Sequence, residues 1–262
     1  MFAKLLKHEW KSSSKILGLL SLAALGAGIV GTILLQVQNH IPNNSIWQDI
    51  STTVFGPIMT LVVVTLIAYI FGSMIYLVYR FYKNKFTDEG YLTFTLPVTT
   101  RQIFLASLVN MTGWIAIVYL VVILDALLMM LLGVRMNSIN RIVLEGLPDF
   151  LRNVGYGGML YLVVATAHTC VLAMTSITVG NVVAKKHKVL AAFGVYYLMN
   201  FVIENVVGIM VIITECIFNQ LIEDFLGSMS AMLITRIFFY LILIAGGYFL
   251  STHLMKNKLN LP

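Results

Sequence analysis

Residues 103–132 read Ile-Phe-Leu-Ala-Ser-Leu-Val-Asn-Met-Thr-Gly-Trp-Ile-Ala-Ile-Val-Tyr-Leu-Val-Val-Ile-Leu-Asp-Ala-Leu-Leu-Met-Met-Leu-Leu, with Asp125 the one charged side chain in the run. A hydrocarbon core about 30 Å thick needs roughly 20 apolar residues of helix, so this stretch is long enough to cross a bilayer. Five more stretches meet the same test, at 16–35, 54–79, 156–182, 189–213 and 231–251. The first follows Lys4, Lys7, Lys11 and Lys15 in the manner of a signal peptide, but its length and the five later spans make it a retained helix. The predicted fold is an all-α polytopic membrane protein with six transmembrane helices and one transmembrane domain over residues 1–262.

The composition agrees. Of 262 residues, 59% are hydrophobic and 11% charged, against roughly 45–50% and about 25% in soluble domains. Mean hydropathy is +0.91. A soluble chain of this length could not bury so much apolar surface or cover itself with so few charges. Two cysteines, Cys170 and Cys216, make neither a disulfide framework nor a metal cluster.

The +6 net charge is informative through its placement. Thirteen of the lysines and arginines fall in the N-terminal segment, the loops after spans two and four, and the C-terminal tail. Four (Arg135, Arg141, Arg152 and Arg236) fall on the opposite side. The positive-inside bias then places both termini in the cytoplasm. It accounts for the basic balance as topology, with no nucleic-acid surface.

Outside the spans, Phe2, Leu5, Leu6 and Trp10 recur at helical spacing among Lys4, Lys7, His8 and Lys11, which predicts an interfacial helix over 1–15. Before the last span, Ile217, Phe218, Leu221, Ile222, Phe225 and Leu226 share one face opposite Asn219, Gln220, Glu223 and Asp224. They predict a short outer amphipathic helix. Residues 136–153 repeat the pattern with interruptions at Gly146 and Pro148.

No catalytic pattern is present. The chain has no G-x-x-x-x-G-K-[ST] phosphate loop, His8-Glu9 lacks the second histidine of a zinc protease, and no serine sits in a G-x-S-x-G elbow. Among the polar residues within spans, the candidates for function are Asp125, His168, Asn200 and Glu204. A charge at depth costs roughly 2.5–3.5 kcal/mol on insertion scales, so these groups face protein or water. They line a translocation path, or they brace helices, with Asp125 or Glu204 bonding His168 or Asn200. Arg236, near the outer end of span six, reads as a snorkelling anchor.

The most distinctive stretch is the loop 83–102 between spans two and three, Lys-Asn-Lys-Phe-Thr-Asp-Glu-Gly-Tyr-Leu-Thr-Phe-Thr-Leu-Pro-Val-Thr-Thr-Arg-Gln. Leu92, Phe94 and Leu96 are apolar residues in a cytoplasmic loop, Pro97 fixes a turn, and Thr99 or Thr100 can cap the next helix. Glu89, Leu92, Leu96, Pro97, Val98, Thr100, Arg101 and Ile103 match, position by position, the corresponding loop of ABC-2 permeases, the transmembrane subunits of a class of ABC transporters. The chain resembles that family along its whole length, and its Lys-Lys-His-Lys-Val run at 185–189 and its ending at 256–261 are similar to Firmicute members. It departs at Ser107, where the family often has lysine.

The resemblance implies a permease subunit of an exporter for an amphipathic or hydrophobic substrate: a peptide toxin or antimicrobial peptide, a drug or a lipid. It would sit in a bacterial plasma membrane as a homo- or heterodimer. ATP and magnesium would bind a separate ATPase subunit, with no cofactor or metal on this chain. Glu89, Leu92, Phe94, Leu96, Pro97 and Arg101 would form the coupling segment, and Lys185, Lys186 and Lys188 a second contact with the ATPase. Two other classes stay open. One is an ion- or proton-coupled transporter using Asp125, His168 and Glu204, which the lack of inverted repeats disfavours. The other is a non-transporting membrane scaffold.

Overall fold

In the computed structural model, the described residues are 2–41, 46–87, 90, 93, 95, 98–133, 138–184, 186–226 and 228–257; side chains at 46–49, 52, 133, 138–156, 215, 218–226 and 228–231 lie outside the description. The described backbone is helical, with no strand among the described residues. The helices are α1 (Phe2–His40), α2 (Ile46–Phe86), α3 (Thr100–Leu128), α4 (Ser138–Val183), α5 (Lys188–Leu226) and α6 (Ser228–Asn257). A π-turn, Met129–Gly133, follows α3 directly. All six are long and apolar enough to cross a membrane, and the protein is a multi-pass membrane protein on that ground.

Each expected span lies inside a longer helix. The interfacial segment 1–15 and the first span are one uninterrupted α1. The outer amphipathic segment is no separate helix: α5 continues through it to Leu226, and its facing side chains from Phe218 on lie outside the described residues. Helix α4 likewise runs through Gly146 and Pro148. Hydropathy marks where apolar side chains stop, whereas backbone hydrogen bonding carries a helix past that point until a turn sequence ends it. Within these apolar helices the hydroxyls have no water to bond. Ser21, Thr32, Thr65, Thr169, Thr178 and Thr252 donate instead to the carbonyl four residues back, at 2.7–2.9 Å.

The chain divides into two compact units. One comprises residues 11–76 and 113–149. Its core joins Ala24 of α1, Tyr69 of α2 and Val118 and Val121 of α3. Ser21 and Tyr69 share a hydrogen bond at 2.8 Å, and Gly31 leaves room for Val62 and Met129.

The other unit comprises residues 1–10, 77–112 and 150–262. Helix α4 is its enclosed element: 67% of its most apolar window is buried, against 11% in α5 and in α6. Gly247 of α6 lets that helix close on Val171 and Thr175, and Ser251 donates to Thr175 at 2.9 Å. At the turn between α4 and α5, a Cβ on Gly180 would come within 2.6 Å of the backbone of Ala192, so the two helices meet backbone to backbone there. Val164, Val207, Val211, Ile237 and Tyr240 fill the space between α4, α5 and α6.

Candidate functional site

Loop 83–102 begins where α2 ends. The Thr87 hydroxyl donates to the Lys83 carbonyl at 2.6 Å, and Gly90 N–H to Thr87 at 2.7 Å. Gly90 is buried, and a Cβ there would meet the Lys85 carbonyl oxygen at 2.6 Å, so only glycine lets the chain pass. Thr93 then donates back to the Asn84 carbonyl at 3.0 Å, serving a carbonyl that the helix end leaves open. At the far stem, Thr99 and Gln102 form a capping box: Gln102 N–H donates to Thr99 Oγ1, and Thr99 N–H to Gln102 Oε1, both at 3.3 Å. Of the two threonines able to cap α3, Thr99 does so. Arg101 is exposed in the first turn. Glu89, Leu92, Phe94, Leu96 and Pro97 lie outside the described residues.

Beneath this loop sits an ion pair that the sequence did not mark. Lys85 Nζ meets Glu9 Oε1 at 2.8 Å, with side-chain exposures of 3% and 9%. Ser107 Oγ donates to the same oxygen at 2.9 Å, and Arg80 donates to the Glu9 backbone carbonyl at 3.4 Å. The pair therefore ties the start of α1 to the end of α2 and the start of α3, the two stems of the loop. Leu77, Phe81, Asn84, Asn110 and Met111 complete the lining of a small, partly open pocket around the pair. Phe81 packs edge-on against Phe86 and Phe104, and Phe104 against Tyr248 of α6, which gives the clamp an aromatic floor. Buried charges persist only when paired and hydrogen-bonded, and this pair is both.

The sequence held one sign of it: Glu9 is the only acidic residue before Asp49, set among four lysines. Lys85 had counted only as a cytoplasmic charge. Ser107, the departure from the family pattern, is the third member of the clamp. On the rest of the N-terminal helix the expected face holds, with Phe2, Leu5, Leu6 and Trp10 half-buried and Lys4, Lys7, His8 and Lys11 exposed. At the α4–α5 turn, Lys186 is exposed, Lys188 opens α5 half-buried, and Lys185 lies outside the described residues.

A second polar cluster lies inside the spans. The Tyr240 hydroxyl of α6 donates to Glu204 of α5 at 3.1 Å. The Tyr240 ring stacks on His168 of α4, centroids 4.4 Å apart and 3° from parallel, and on Tyr161 at 6.1 Å. Arg236, half-buried on α6, lies near Tyr161, Tyr240 and Glu204. Glu204 and His168 are thus joined through Tyr240, a residue the sequence reading did not single out. Asn200 is half-buried one turn before Glu204. Asp125 belongs to the other unit, is fully buried, and neither of its oxygens has a hydrogen-bond partner among the described residues.

No protein-family model, curated protein or solved structure matches the chain.

Proposed function

We propose that this chain is the transmembrane subunit of an ATP-driven exporter of the ABC-2 kind, paired with a second permease subunit in a bacterial plasma membrane. Its energy would come from a separate ATPase that binds ATP and magnesium. The observation that carries this reading is the buried Glu9–Lys85–Ser107 clamp, which holds both stems of the loop whose sequence follows the family pattern. A loop that only connects two spans needs no such mount. A loop that must take a push from a partner and pass it to helices needs rigid stems, because a soft seat absorbs the displacement. The capping box at Thr99 and the tie from Thr93 to Asn84 serve the same end.

The test is co-purification and transport. The chain should be isolated with an ATPase subunit encoded beside it. Glu89→Ala and Leu96→Asp should leave the six helices inserted but weaken that association and abolish ATP-dependent transport in vesicles. Normal ATP-driven transport by both variants overturns the assignment of the loop.

The partnerless Asp125 and the Glu204–Tyr240–His168 string favour a second reading, an ion- or proton-coupled transporter. Vesicle uptake driven by an imposed ion gradient without ATP would select it.

A further inference from the structure

Helix α5 exposes an unusual face. Phe193, Tyr197, Phe201 and Glu204 are all exposed, the three rings at 74%, 69% and 63%. Their spacing of four, four and three residues places them in one stripe along the helix. The stripe ends on a carboxylate just past the middle of the apolar span Lys188–Thr214 of α5. Tyr240 fixes the direction of that carboxylate from behind through its 3.1 Å hydrogen bond, and the stacked His168 ring holds Tyr240. The carboxylate is thus oriented by the protein yet open on its other side.

We propose that this face binds a lipophilic organic cation, with Glu204 taking the positive charge and the rings of Phe193, Tyr197 and Phe201 taking the apolar body. An exposed charge at this depth costs several kcal/mol against hydrocarbon, and a cationic ligand offsets that cost. Aromatic faces attract the same ligand through their quadrupoles and bury its apolar surface. Nothing on α5 competes for the carboxylate, since residues 189–226 contain no lysine or arginine. Arg236 of α6 lies near both Glu204 and Tyr161 and is half-buried, whereas the carboxylate is exposed.

A second copy of this chain is the rival occupant, and charge argues against it. A two-fold interface sets the same patch against itself. The α5 stripe, with one acid and no base, has no complement in the same stripe of a second copy. Binding at this face stands apart from the exporter reading, and only naming the bound molecule as cargo rests on it.

The experiment uses the purified full-length chain in phosphatidylcholine nanodiscs, without ATP or a partner subunit. Equilibrium binding of radiolabelled tetraphenylphosphonium is measured, with tetraphenylborate, the anion of the same shape, as competitor. The wild type should bind the cation saturably, and the anion should not displace it. Glu204→Gln should weaken binding about tenfold or more, the scale of one lost charge contact, while Glu204→Asp stays within a few-fold of wild type. Tyr197→Leu combined with Phe201→Leu keeps the carboxylate and should weaken binding several-fold.

Unchanged binding in Glu204→Gln, or equal displacement by the anion, overturns the proposal. So does a Tyr197→Cys variant that cross-links between copies while the wild type binds no cation, since the face is then an interface. Loss of ATP-driven transport with cation binding intact would sink the exporter reading and leave this site standing.

Discussion

Gly28 of α1 and Asp125 of α3 contend for one space: a Cβ built on Gly28 falls on the Asp125 carboxylate. The absent side chain at 28 is what admits a carboxyl group into the core around Tyr69 and Val121. A Cβ is fixed to its backbone, so relief has to come from the aspartate or from separation of the helices. Gly28→Ala should therefore lower thermal stability in detergent, by about 1–3 kcal/mol in an overpacked site. Gly28→Ala combined with Asp125→Ala should recover most of that loss. A double-mutant cycle by thermal unfolding checks it, and strict additivity of the two changes would count against the shared space.

Asp125 alone carries a prediction of the opposite sign. Its oxygens make no hydrogen bond among the described residues, so replacing it removes a desolvated polar group without orphaning a partner. Asp125→Ala should leave the unfolding temperature unchanged or raise it. A fall of several degrees in the same assay would reveal a supporting role. On the exporter reading, if either Asp125 or Glu204 lines a polar path, neutralising that residue should change substrate-stimulated ATP hydrolysis by the complex with its ATPase.

The Glu9–Lys85 pair should respond asymmetrically. Removing one member leaves the other charge buried, at about 3–5 kcal/mol, whereas replacing both by apolar residues of similar size is often nearly neutral. Glu9→Gln and Lys85→Met should each destabilise strongly, and Glu9→Leu with Lys85→Met should be milder than either. Thermal unfolding of the three variants decides this. If the clamp also seats the coupling loop, the double variant should remain folded and still hold its ATPase poorly.

The capping box gives a local test. Thr99→Ala should cost about 0.5–2 kcal/mol and open the first turn of α3. Hydrogen exchange of the amides at 100–103 should accelerate while exchange in α4 is unchanged. Acceleration spread across both helices would mean that the cap has a wider role than closing α3.

Orientation can be read with impermeant thiol reagents in intact cells. With Cys216 changed to serine to clear the background, cysteines at Asn43 and Asn219 should react, and one at Lys186 should not. Labelling at Lys186 reverses the topology inferred from the basic residues.

What was legible in the sequence follows from which forces are local. The six helices were legible because apolar length is a property of consecutive residues, and 103–132 announces a span by itself. A cap at Thr99 or Thr100 was legible because a capping residue sits beside the helix it closes, and the structure selects Thr99 through Gln102. Glu9 and Lys85 are 76 positions apart, and no periodicity in either segment points to the other. Tyr240 escaped notice for a related reason: an aromatic residue in an apolar helix looks like packing until its hydroxyl finds Glu204. Helix ends were also misjudged, since hydropathy reports the solvent around a helix while hydrogen bonds decide where it stops. That is why the segment at 217–226 became a continuation of α5.

The close approach of Gly180 to Ala192 has a mechanical consequence. Backbones this close leave no room for a side chain at 180, so any larger residue there would push α4 and α5 apart at their shared bend. On the exporter reading, a push at Lys186 and Lys188 would then reach α4 and α5 together.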